Sequence, residues 1–479
     1  MRASQSPYRR LLGRIFHAIA SVWVVGPVQD TQCGFKGFTR AAAQDLFSRQ
    51  RITSIVFDVE LVFLARRRGY RLAIVPIRVV RQAGVADARA TRTGSAGRVG
   101  LAANPAPPPR HRTGRPGGRV TSGRLVAIPR AALPIVAMVA FAASAGAIVM
   151  FAGPTLGYDF EAYFRAAQRV VEGAALYDQD VAAAGGFAIY LYPPPFAVAL
   201  VPLALLPGGI ALLTWETVTV CALLLGVALM PVSRTVRWLV LLSAAIDWPV
   251  LYTIKIGQVG TLLLLLFVVG WRWMDRPWRL GAGIAVGALI KVQPVVLLIW
   301  AMMTGRRKAA GIAIGIVVGA ALVVTLLFGP SVWTDYAALL ARVNAPITTP
   351  HNFTLGAIAF QLGAPVTAAS LIQLVSTLAA ITMLIVAIRR CTNEASYLVT
   401  VIVSQLVSPV LWDHYAMLLL LPVAYLLSAG RWWALLVPLA TAWPLVGITP
   451  PVVYPLVFWL TLVAVAIVGR RTRPGATPA

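Results

Sequence analysis

The sequence is poor in charged residues, in cysteine and in lysine. Of its 479 residues, 12% are charged and 59% are hydrophobic, whereas about a quarter of the residues of a soluble domain are charged. This composition excludes an ordinary soluble protein and predicts a polytopic membrane protein. The cysteines, Cys33, Cys221 and Cys391, are far apart and lack metal-ligand spacing. The sequence therefore supports neither a disulfide framework nor a zinc site.

The positive charge is uneven along the chain. The formal net charge is +26, and residues 1–130 hold 23 of the 42 basic residues but only 5 of the 16 acidic ones. Such an excess can indicate nucleic-acid binding. However, the basic stretch at residues 83–130 has no aromatic side chain on which a base could stack. We therefore expect no nucleic-acid partner, and we expect this stretch to contact anionic lipid headgroups instead.

Composition divides the chain into four segments. Residues 1–82 have the pattern of a small, truncated α/β fragment, with several helices and a strand near residues 72–76. Residues 83–130, rich in Ala, Gly, Pro and Arg, are typical of a flexible linker. Residues 131–470 form the membrane domain, and residues 471–479 form a short tail. No clean secretion signal opens the chain, so we expect the N-terminus to stay in the cytoplasm.

Apolar runs of bilayer-spanning length recur from residue 131 onward. We predict an all-α polytopic membrane domain with about 10–13 transmembrane helices. The positive-inside rule places the arginine-rich loops and both termini in the cytoplasm. Residues 280–304 could form two short helices or a re-entrant hairpin, and residues 193–207, which begin with three prolines, are predicted to be interfacial. The predicted spans lie near residues 131–152, 209–230, 238–254, 257–272, 280–291, 293–304, 309–328, 365–388, 395–410, 412–428, 432–447 and 451–469.

Asp159 is the first functional candidate, because ionisable groups at a membrane are costly and therefore indicate function. It follows the first predicted span within a few residues and opens an amphipathic helix. A carboxylate at this position would lie near lipid headgroups and could act as a catalytic base. The alternative is a helix N-cap, which would contribute about 1 kcal/mol. Position alone leaves both interpretations open.

Two lysines interrupt apolar segments on the side predicted to be outside. Lysine occurs only four times, against 38 arginines, and Lys255 and Lys291 are two of the four. An ammonium group at this depth needs an anion, and a lipid-linked phosphate is one candidate. Snorkelling of each side chain to the interface is the alternative. Two such lysines on one face favour a shared anion site.

Two histidines also fall on the outer side. His351 and His414 could each bind sugar hydroxyls or phosphate, and Trp412 offers an apolar face for a sugar ring. Each of them alone is also typical of an ordinary interface residue. Asp247 and Glu216 lie within predicted spans. Asp247 could approach the outer site, whereas helix-to-helix hydrogen bonding is favoured for Glu216.

Short motifs follow one another in a fixed order through the membrane half. They are Asp159-Phe-Glu-Ala-Tyr-Phe-Arg-Ala-Ala, Tyr190-Leu-Tyr-Pro-Pro-Pro-Phe196, Gly257-Gln258, Lys291-Val-Gln-Pro294, Asn352-Phe-Thr354 and Ser408-Pro-Val-Leu-Trp-Asp-His414. As an ordered set they resemble the polyprenol-phosphate-dependent mannosyltransferases of glycosyltransferase family 87, which belong to the GT-C class.

The resemblance implies an inverting enzyme that takes a sugar from a polyprenyl-phosphate donor and needs no metal or other cofactor. The carboxylate of the first external loop, here Asp159, would be the general base toward the acceptor hydroxyl. Cations would offset the charge that develops on the departing phosphate. The candidate binding residues are Lys255, Lys291 and His414 for the phosphate, Gln258, Asn352 and Trp412 for the sugar or lipid head, and Glu161, Tyr163, Tyr192, Asp247 and His351 as further site residues.

The expected partners are a polyprenyl-phosphate sugar donor, a glycolipid or polysaccharide acceptor, and membrane lipids. We expect the protein in the plasma membrane, with its site on the extracytoplasmic face. Mannose is the expected donor sugar, and arabinosyl and glucosyl donors stay open. A transporter or flippase of lipid-linked sugars is the main alternative. Such a protein should have paired inverted halves with broken helices, and the sequence shows no such pairing.

The N-terminal segment carries motifs of a different kind. They are Asp30-Thr-Gln-Cys-Gly-Phe-Lys-Gly-Phe-Thr-Arg40, Phe57-Asp-Val-Glu-Leu-Val-Phe-Leu-Ala-Arg-Arg-Arg-Gly-Tyr70 and Val75-Pro76. They resemble the C-terminal part of family 2 glycosyltransferases of the dolichyl-phosphate glucose or mannose synthase kind. Those enzymes make polyprenyl-phosphate sugars on the cytoplasmic face. The nucleotide-binding half of that fold is not recognisable here, so we expect residues 1–82 to be inactive alone.

Overall fold

The computed structural model describes residues 37–49, 61, 64–65, 68, 70, 132–177, 189–343, 346–349 and 351–471. The chain divides into two compact units, residues 1–118 and residues 119–479. Among the described residues, every regular element is a helix. This confirms the predicted helical, polytopic membrane fold. The predicted strand near residues 72–76, the linker and residues 472–479 lie outside the described residues.

The described part of the first unit is one short helix and the side chains packed on it. Helix α1, Arg40–Phe47, is amphipathic and packs Leu46 against Leu61. On its polar face, Asp45 accepts a hydrogen bond from the hydroxyl of Tyr70 at 2.9 Å. These contacts join the helix to a segment that follows it in the chain.

The second unit is a bundle of helices. Proline stands at the first or second position of five of them, where its missing N–H costs no hydrogen bond. In chain order they are α2 (Leu133–Phe151), α3 (Tyr158–Glu172), α4 (Pro194–Ala199), α5 (Val201–Ala204), α6 (Gly208–Leu229), α7 (Arg234–Ala244), α8 (Trp248–Ile256), α9 (Gly260–Arg272), α10 (Pro277–Ile290), α11 (Val296–Met303), α12 (Arg307–Phe328), α13 (Ser331–Val343), α14 (Leu355–Gln361), α15 (Val366–Arg390), α16 (Asn393–Leu406), α17 (Leu420–Ser428), α18 (Leu436–Ala440) and α19 (Val453–Val468). Short 3-10 turns lie at Gly153–Thr155, Gln293–Val295, Asp413–Leu419, Trp432–Leu435 and Trp443–Leu445.

Helices α2, α6, α12 and α15 are long and apolar enough to span a membrane. They have 19 to 25 residues, which gives lengths of about 28–38 Å at the usual rise of an α-helix. The hydrocarbon core of a bilayer is about 30 Å thick. Between 11% and 44% of their most apolar windows is buried inside the protein. The remaining apolar surface suits contact with lipid.

The segment that the sequence left open, residues 280–304, forms two short helices arranged as a hairpin. Helix α10 ends at Ile290, and the chain resumes with a 3-10 turn and α11 after the extended residue Lys291. At the far end of α11, Arg306 Nη2 lies 3.0 Å from Oδ1 of Asp275, which stands just before α10. The hairpin therefore begins and ends at the same place, and Lys291 lies at its tip.

One predicted span is broken in two. Residues 238–254 were expected to form one helix, but α7 ends at Ala244 and α8 begins at Trp248. The break is matched by irregular structure in the predicted span 432–447, and the two segments bridge between Asp247 and Ala442. Trp248 donates its backbone N–H to the carbonyl of Thr441 at 3.0 Å. Backbone pairing across the break thus replaces hydrogen bonds that a continuous helix would have made.

Arginine-rich turns contact one another in pairs. Arg272, at the end of α9, donates to the carbonyl of Leu229 at the end of α6 over 3.1 Å. The amide of Arg471 donates to the carbonyl of Arg390, at the end of α15, over 3.0 Å. Each contact joins two turns that the arginine distribution assigns to the same side of the membrane.

Candidate functional site

Two glycines bring the start of α3 beside the end of α8. Gly157 and Gly257 have φ values of +69° and +67°, in the left-handed region that favours glycine. The amide of Gly157 donates to the carbonyl of Lys255 over 3.0 Å. The indole of Trp215 donates to the carbonyl of Gly257 over 2.6 Å. The first turn of α3 therefore lies against the turn that follows α8.

Asp159 is the second residue of α3. The N-cap is Gly157, so Asp159 does not have the capping position that the sequence left open. Its half-buried carboxyl lies near Gln258, Lys291 and His414, which come from three other segments. Burial raises the pKa of Asp159, while the charges of His414 and Lys291 and a hydrogen bond with Gln258 act in the opposite direction. A carboxylate with a raised pKa is a stronger base than an ordinary aspartate.

Two buried tyrosines form a hydrogen-bond network with the side chain of Gln258. The hydroxyl of Tyr163 donates a hydrogen bond to the hydroxyl oxygen of Tyr192 over 2.8 Å, and Nε2 of Gln258 donates to the same oxygen over 3.0 Å. The two rings meet edge to face, with centroids 4.9 Å apart. Because both tyrosines are at most 8% exposed, this network fixes the amide of Gln258 next to Asp159.

Lys291 points its ammonium group at aromatic rings. Its Nζ lies 4.1 Å from the ring centroid of Tyr415 and 5.7 Å from that of Tyr192. Ring faces attract a cation that has been partly removed from water. Among the ion pairs of the described residues, none includes Lys291. Its charge therefore stands beside Asp159 without being neutralised by a directly bound carboxylate.

His414 is buried between aromatic side chains. Trp412 stacks on it with a centroid distance of 6.4 Å, and the ring of Tyr252 lies 6.1 Å away. Its Nδ1 is 3.5 Å from Oδ1 of Asp413, and within the described structure neither ring nitrogen makes a hydrogen bond. Trp248 donates from its indole to Oδ2 of Asp413 over 3.2 Å. The result is a half-buried aromatic rim with a histidine and a carboxylate in it.

Three other sequence candidates are half-buried or exposed. Lys255 is half-buried with its Nζ 5.9 Å from the ring centroid of Tyr252, so it stands at the rim rather than beside Asp159. Glu161 forms a 2.6 Å ion pair with Arg165 on the outer surface of α3. His351 is exposed and has a φ of +57°.

Asn352 and Asp247 are buried and committed to backbone and side-chain partners. Oδ1 of Asp247 accepts a hydrogen bond from the Thr441 hydroxyl over 2.7 Å, next to the break between α7 and α8. The Asn352 side chain uses all of its usual hydrogen-bonding positions. Its Nδ2 donates to the carbonyls of Pro346 and Pro409, and its Oδ1 accepts from the amides of Thr354 and Leu411.

The structure adds residues that the sequence did not single out. A cavity of about 10 Å³ lies at the tip of the hairpin, lined by Lys291, Gln293, Gln405 and Tyr415 together with His414 and Gln258, and it has room for roughly one water molecule. Tyr415 directly follows the motif that ends at His414, and Gln293 lies inside the Lys291 motif. This closeness to recognised motifs could have identified Tyr415 and Gln293 as site residues, whereas nothing in the sequence around Gln405 indicated one.

These features define a class: a helical membrane protein with an acid, cationic groups and aromatic rings gathered at one end of its bundle. In the part of the chain that the structure describes, no group of three His, Cys, Asp or Glu side chains could hold a metal ion. Residues 190–409 match the model of glycosyltransferase family 87. Asp159 lies before the matched segment.

The membrane half also has a curated relative. Over 242 residues the chain is 28% identical to a polyprenol-phosphate-mannose-dependent alpha-(1-2)-phosphatidylinositol pentamannoside mannosyltransferase of Mycobacterium tuberculosis. The alignment covers 47% of this chain and 55% of the relative. Together with the family match, it confirms the resemblance predicted from the motifs.

The N-terminal segment matches different proteins. It is 42% identical over 76 residues to a dolichyl-phosphate beta-glucosyltransferase of Trichomonas vaginalis and 44% identical over 64 residues to the human dolichyl-phosphate beta-glucosyltransferase. These alignments cover 16% and 13% of this chain, and 23% and 20% of the relatives. They confirm the second resemblance, although the chain spans under a quarter of these proteins. No solved structure gives a significant match.

Proposed function

We propose that the membrane unit is a glycosyltransferase that moves a sugar from a polyprenyl phosphate to a hydroxyl group of a glycolipid or polysaccharide. The observation that carries this proposal is the meeting of Asp159 with Gln258, Lys291 and His414. These residues come from four separate segments, and each is chemically suited to one part of such a transfer. The likeness to a polyprenol-phosphate-mannose-dependent enzyme supports mannose as the sugar.

The proposed step is a single displacement. The Asp159 carboxylate accepts the proton of the acceptor hydroxyl while the acceptor oxygen bonds to the anomeric carbon of the sugar. The bond from that carbon to the phosphate oxygen breaks, and its electron pair leaves with the polyprenyl phosphate. Lys291 and His414 offset the negative charge that develops on the phosphate. Attack from the face opposite the leaving group inverts the anomeric centre.

The surrounding residues support this step in different ways. Tyr163 and Tyr192 position Gln258, which in turn orients the carboxylate of Asp159. The half-buried Trp412 offers a flat face to a sugar ring. Lys255, at the rim, attracts the anionic donor toward the site. We place the site on the extracytoplasmic face of the plasma membrane and both termini in the cytoplasm, following the distribution of arginines between the loops.

Transfer assays with matched variants test the proposal. The full-length protein, reconstituted in vesicles, is given radiolabelled polyprenyl-phosphate mannose and membrane lipid acceptors, with glucosyl and arabinosyl donors in parallel. Asp159→Asn should lower transfer by about 100- to 10,000-fold, the usual contribution of a general base. Glu172→Gln makes the same change at an exposed carboxylate of the same helix and should transfer at the wild-type rate. Equal transfer by both variants would contradict the assignment of Asp159.

A further inference from the structure

A groove at the opposite end of the membrane unit plays no part in the proposed transfer. It has a volume of about 370 Å³ and lies between α2, α6 and α7. The α6 residues in it, Leu224 to Ala228, follow Trp215 by 9 to 13 positions, which is about 14–20 Å along a helix. Trp215 bonds the Gly257 turn beside Asp159, so the groove and the candidate active site are separate.

The groove has an apolar wall and a basic mouth. Met138, Leu224 and Leu241 contribute to the wall, and Arg234 and Arg237 stand at the mouth. Arg237 donates through Nε to the carbonyl of Met230 over 2.9 Å, which orients its guanidinium while leaving other N–H groups free to bind. In the described structure neither arginine forms an ion pair with a carboxylate.

Trp238 lines the groove and carries a hydrogen-bond donor that has no partner among the described residues. Its indole lines the groove, and its Nε1 is buried without a hydrogen-bond partner in the described structure. A buried N–H without an acceptor costs about 1–3 kcal/mol. Since this N–H is closed off from the groove, the indole has to turn in order to donate to an ester carbonyl lying just below a phosphate. Tryptophan is enriched at the depth where such carbonyls occur.

We propose that this groove is a binding site for one anionic phospholipid. Arg234 and Arg237 hold its phosphate, the Trp238 indole donates to an ester carbonyl, and an acyl chain lies along the wall formed by α2 and α6. Charge complementarity selects an anionic headgroup, because two guanidinium groups without carboxylate partners stand at the mouth. Basic pockets between membrane helices commonly take lipids of this kind. The bound lipid would hold α7 against α2 and α6.

Thermal unfolding of the full-length protein tests the site without using transferase activity. In detergent, phosphatidylglycerol should raise the unfolding temperature of the wild type more than the same amount of phosphatidylcholine. Arg234→Gln removes an exposed guanidinium that makes no hydrogen bond within the described structure, so this variant should fold. It should lose at least half of the phosphatidylglycerol-specific shift. Trp238→Phe, which removes only the indole donor and part of the ring, should also reduce it.

Control variants outside the groove, and inorganic phosphate as a second ligand, test whether the phosphatidylglycerol shift comes from this groove. Arg389→Gln and Trp278→Phe change exposed residues outside the groove and should keep the full phosphatidylglycerol shift. Native mass spectrometry should show phosphatidylglycerol retained by the wild type and lost from Arg234→Gln. A shift of wild-type size in Arg234→Gln, an equal shift with phosphatidylcholine, or the same shift produced by inorganic phosphate alone would each overturn the proposal.

Discussion

The ammonium group of Lys291 lies 4.1 Å from the centroid of the Tyr415 ring. The lysine stands at the tip of the hairpin formed by α10 and α11, and the tyrosine, which directly follows His414, lines the same cavity. A ring face stabilises a cation that has lost part of its water without neutralising it as a carboxylate would. The contact therefore holds a positive charge in place and leaves its N–H groups able to receive a phosphate.

We expect Lys291→Met to lower transfer by about 100- to 1,000-fold, since it removes a positioned group that offsets developing charge. Lys308→Met removes an exposed lysine at the start of α12 and should leave the transfer rate unchanged. At Tyr415, phenylalanine keeps the ring face and should retain most activity, whereas leucine should not. Initial rates at several donor concentrations measure these effects. Activity of Tyr415→Leu equal to that of Tyr415→Phe would refute a role for the ring.

Gly257→Ala tests the turn that carries Gln258. A Cβ at this position would lie 2.9 Å from Cβ of Phe160 and 3.2 Å from Oε1 of Glu216, and the backbone is in the left-handed region. We expect a loss of stability of about 2–4 kcal/mol from strain and overpacking together, with a clear loss of transfer. Gly430→Ala is the control, because φ there is +74° but nothing lies near a Cβ. If chemical unfolding showed equal losses of stability for both variants, the close packing around Gly257 would not be the cause of the loss.

Asn352→Ala should act on stability rather than on chemistry. The side chain makes four hydrogen bonds to backbone groups of two loops, at 2.6 to 3.1 Å, and leaving such buried groups unpaired costs about 1–3 kcal/mol each. We expect a lower unfolding temperature and less folded protein, with an unchanged KM for the donor in the fraction that folds. An unchanged unfolding temperature together with a raised KM would restore the sugar-binding role predicted from the sequence.

The sequence predicted the positions of most helices because apolar runs of bilayer length leave little choice of structure. It could not predict the break between α7 and α8. That break depends on pairing with residues near Ala442, almost two hundred positions later in the chain, and no local pattern records it. The hairpin at residues 280–304 was left open for a similar reason, since its ends meet through hydrogen bonds of Arg306 with Met274 and Asp275, about thirty positions earlier, which no local pattern records.

The sequence predicted the charged members of the candidate site and part of their support, Gln258, Tyr163 and Tyr192. Asp159, Lys291 and His414 stood out because charged and titratable groups are rare in apolar sequence. Tyr415 and Gln405 did not, since a tyrosine or glutamine in an apolar segment is compatible with many roles. Asn352 is the reverse case. Its motif predicted a sugar-binding residue, but its side chain makes all four of its hydrogen bonds with backbone groups.

The pH dependence of transfer should report the environment of Asp159. Burial raises the pKa of this carboxyl, and only its charged form accepts a proton from the acceptor hydroxyl. As the pH falls through that pKa the base becomes protonated, so kcat/KM should decline at a pH above the ordinary aspartate pKa of about 3.9. The profile is measured from pH 4 to pH 8 on vesicles whose integrity is checked at each pH.

The carboxylate variants separate this effect from a general loss of structure. Asp159→Glu should retain a low activity with an acidic decline, because it keeps a carboxyl group near Lys291 and His414. The residual transfer by Asp159→Asn should lack the decline that belongs to the base. Glu172→Gln should reproduce the wild-type profile, since that carboxylate is exposed at the far end of α3. A wild-type rate that stays constant down to pH 4 would show that the Asp159 carboxyl is not the group accepting the proton.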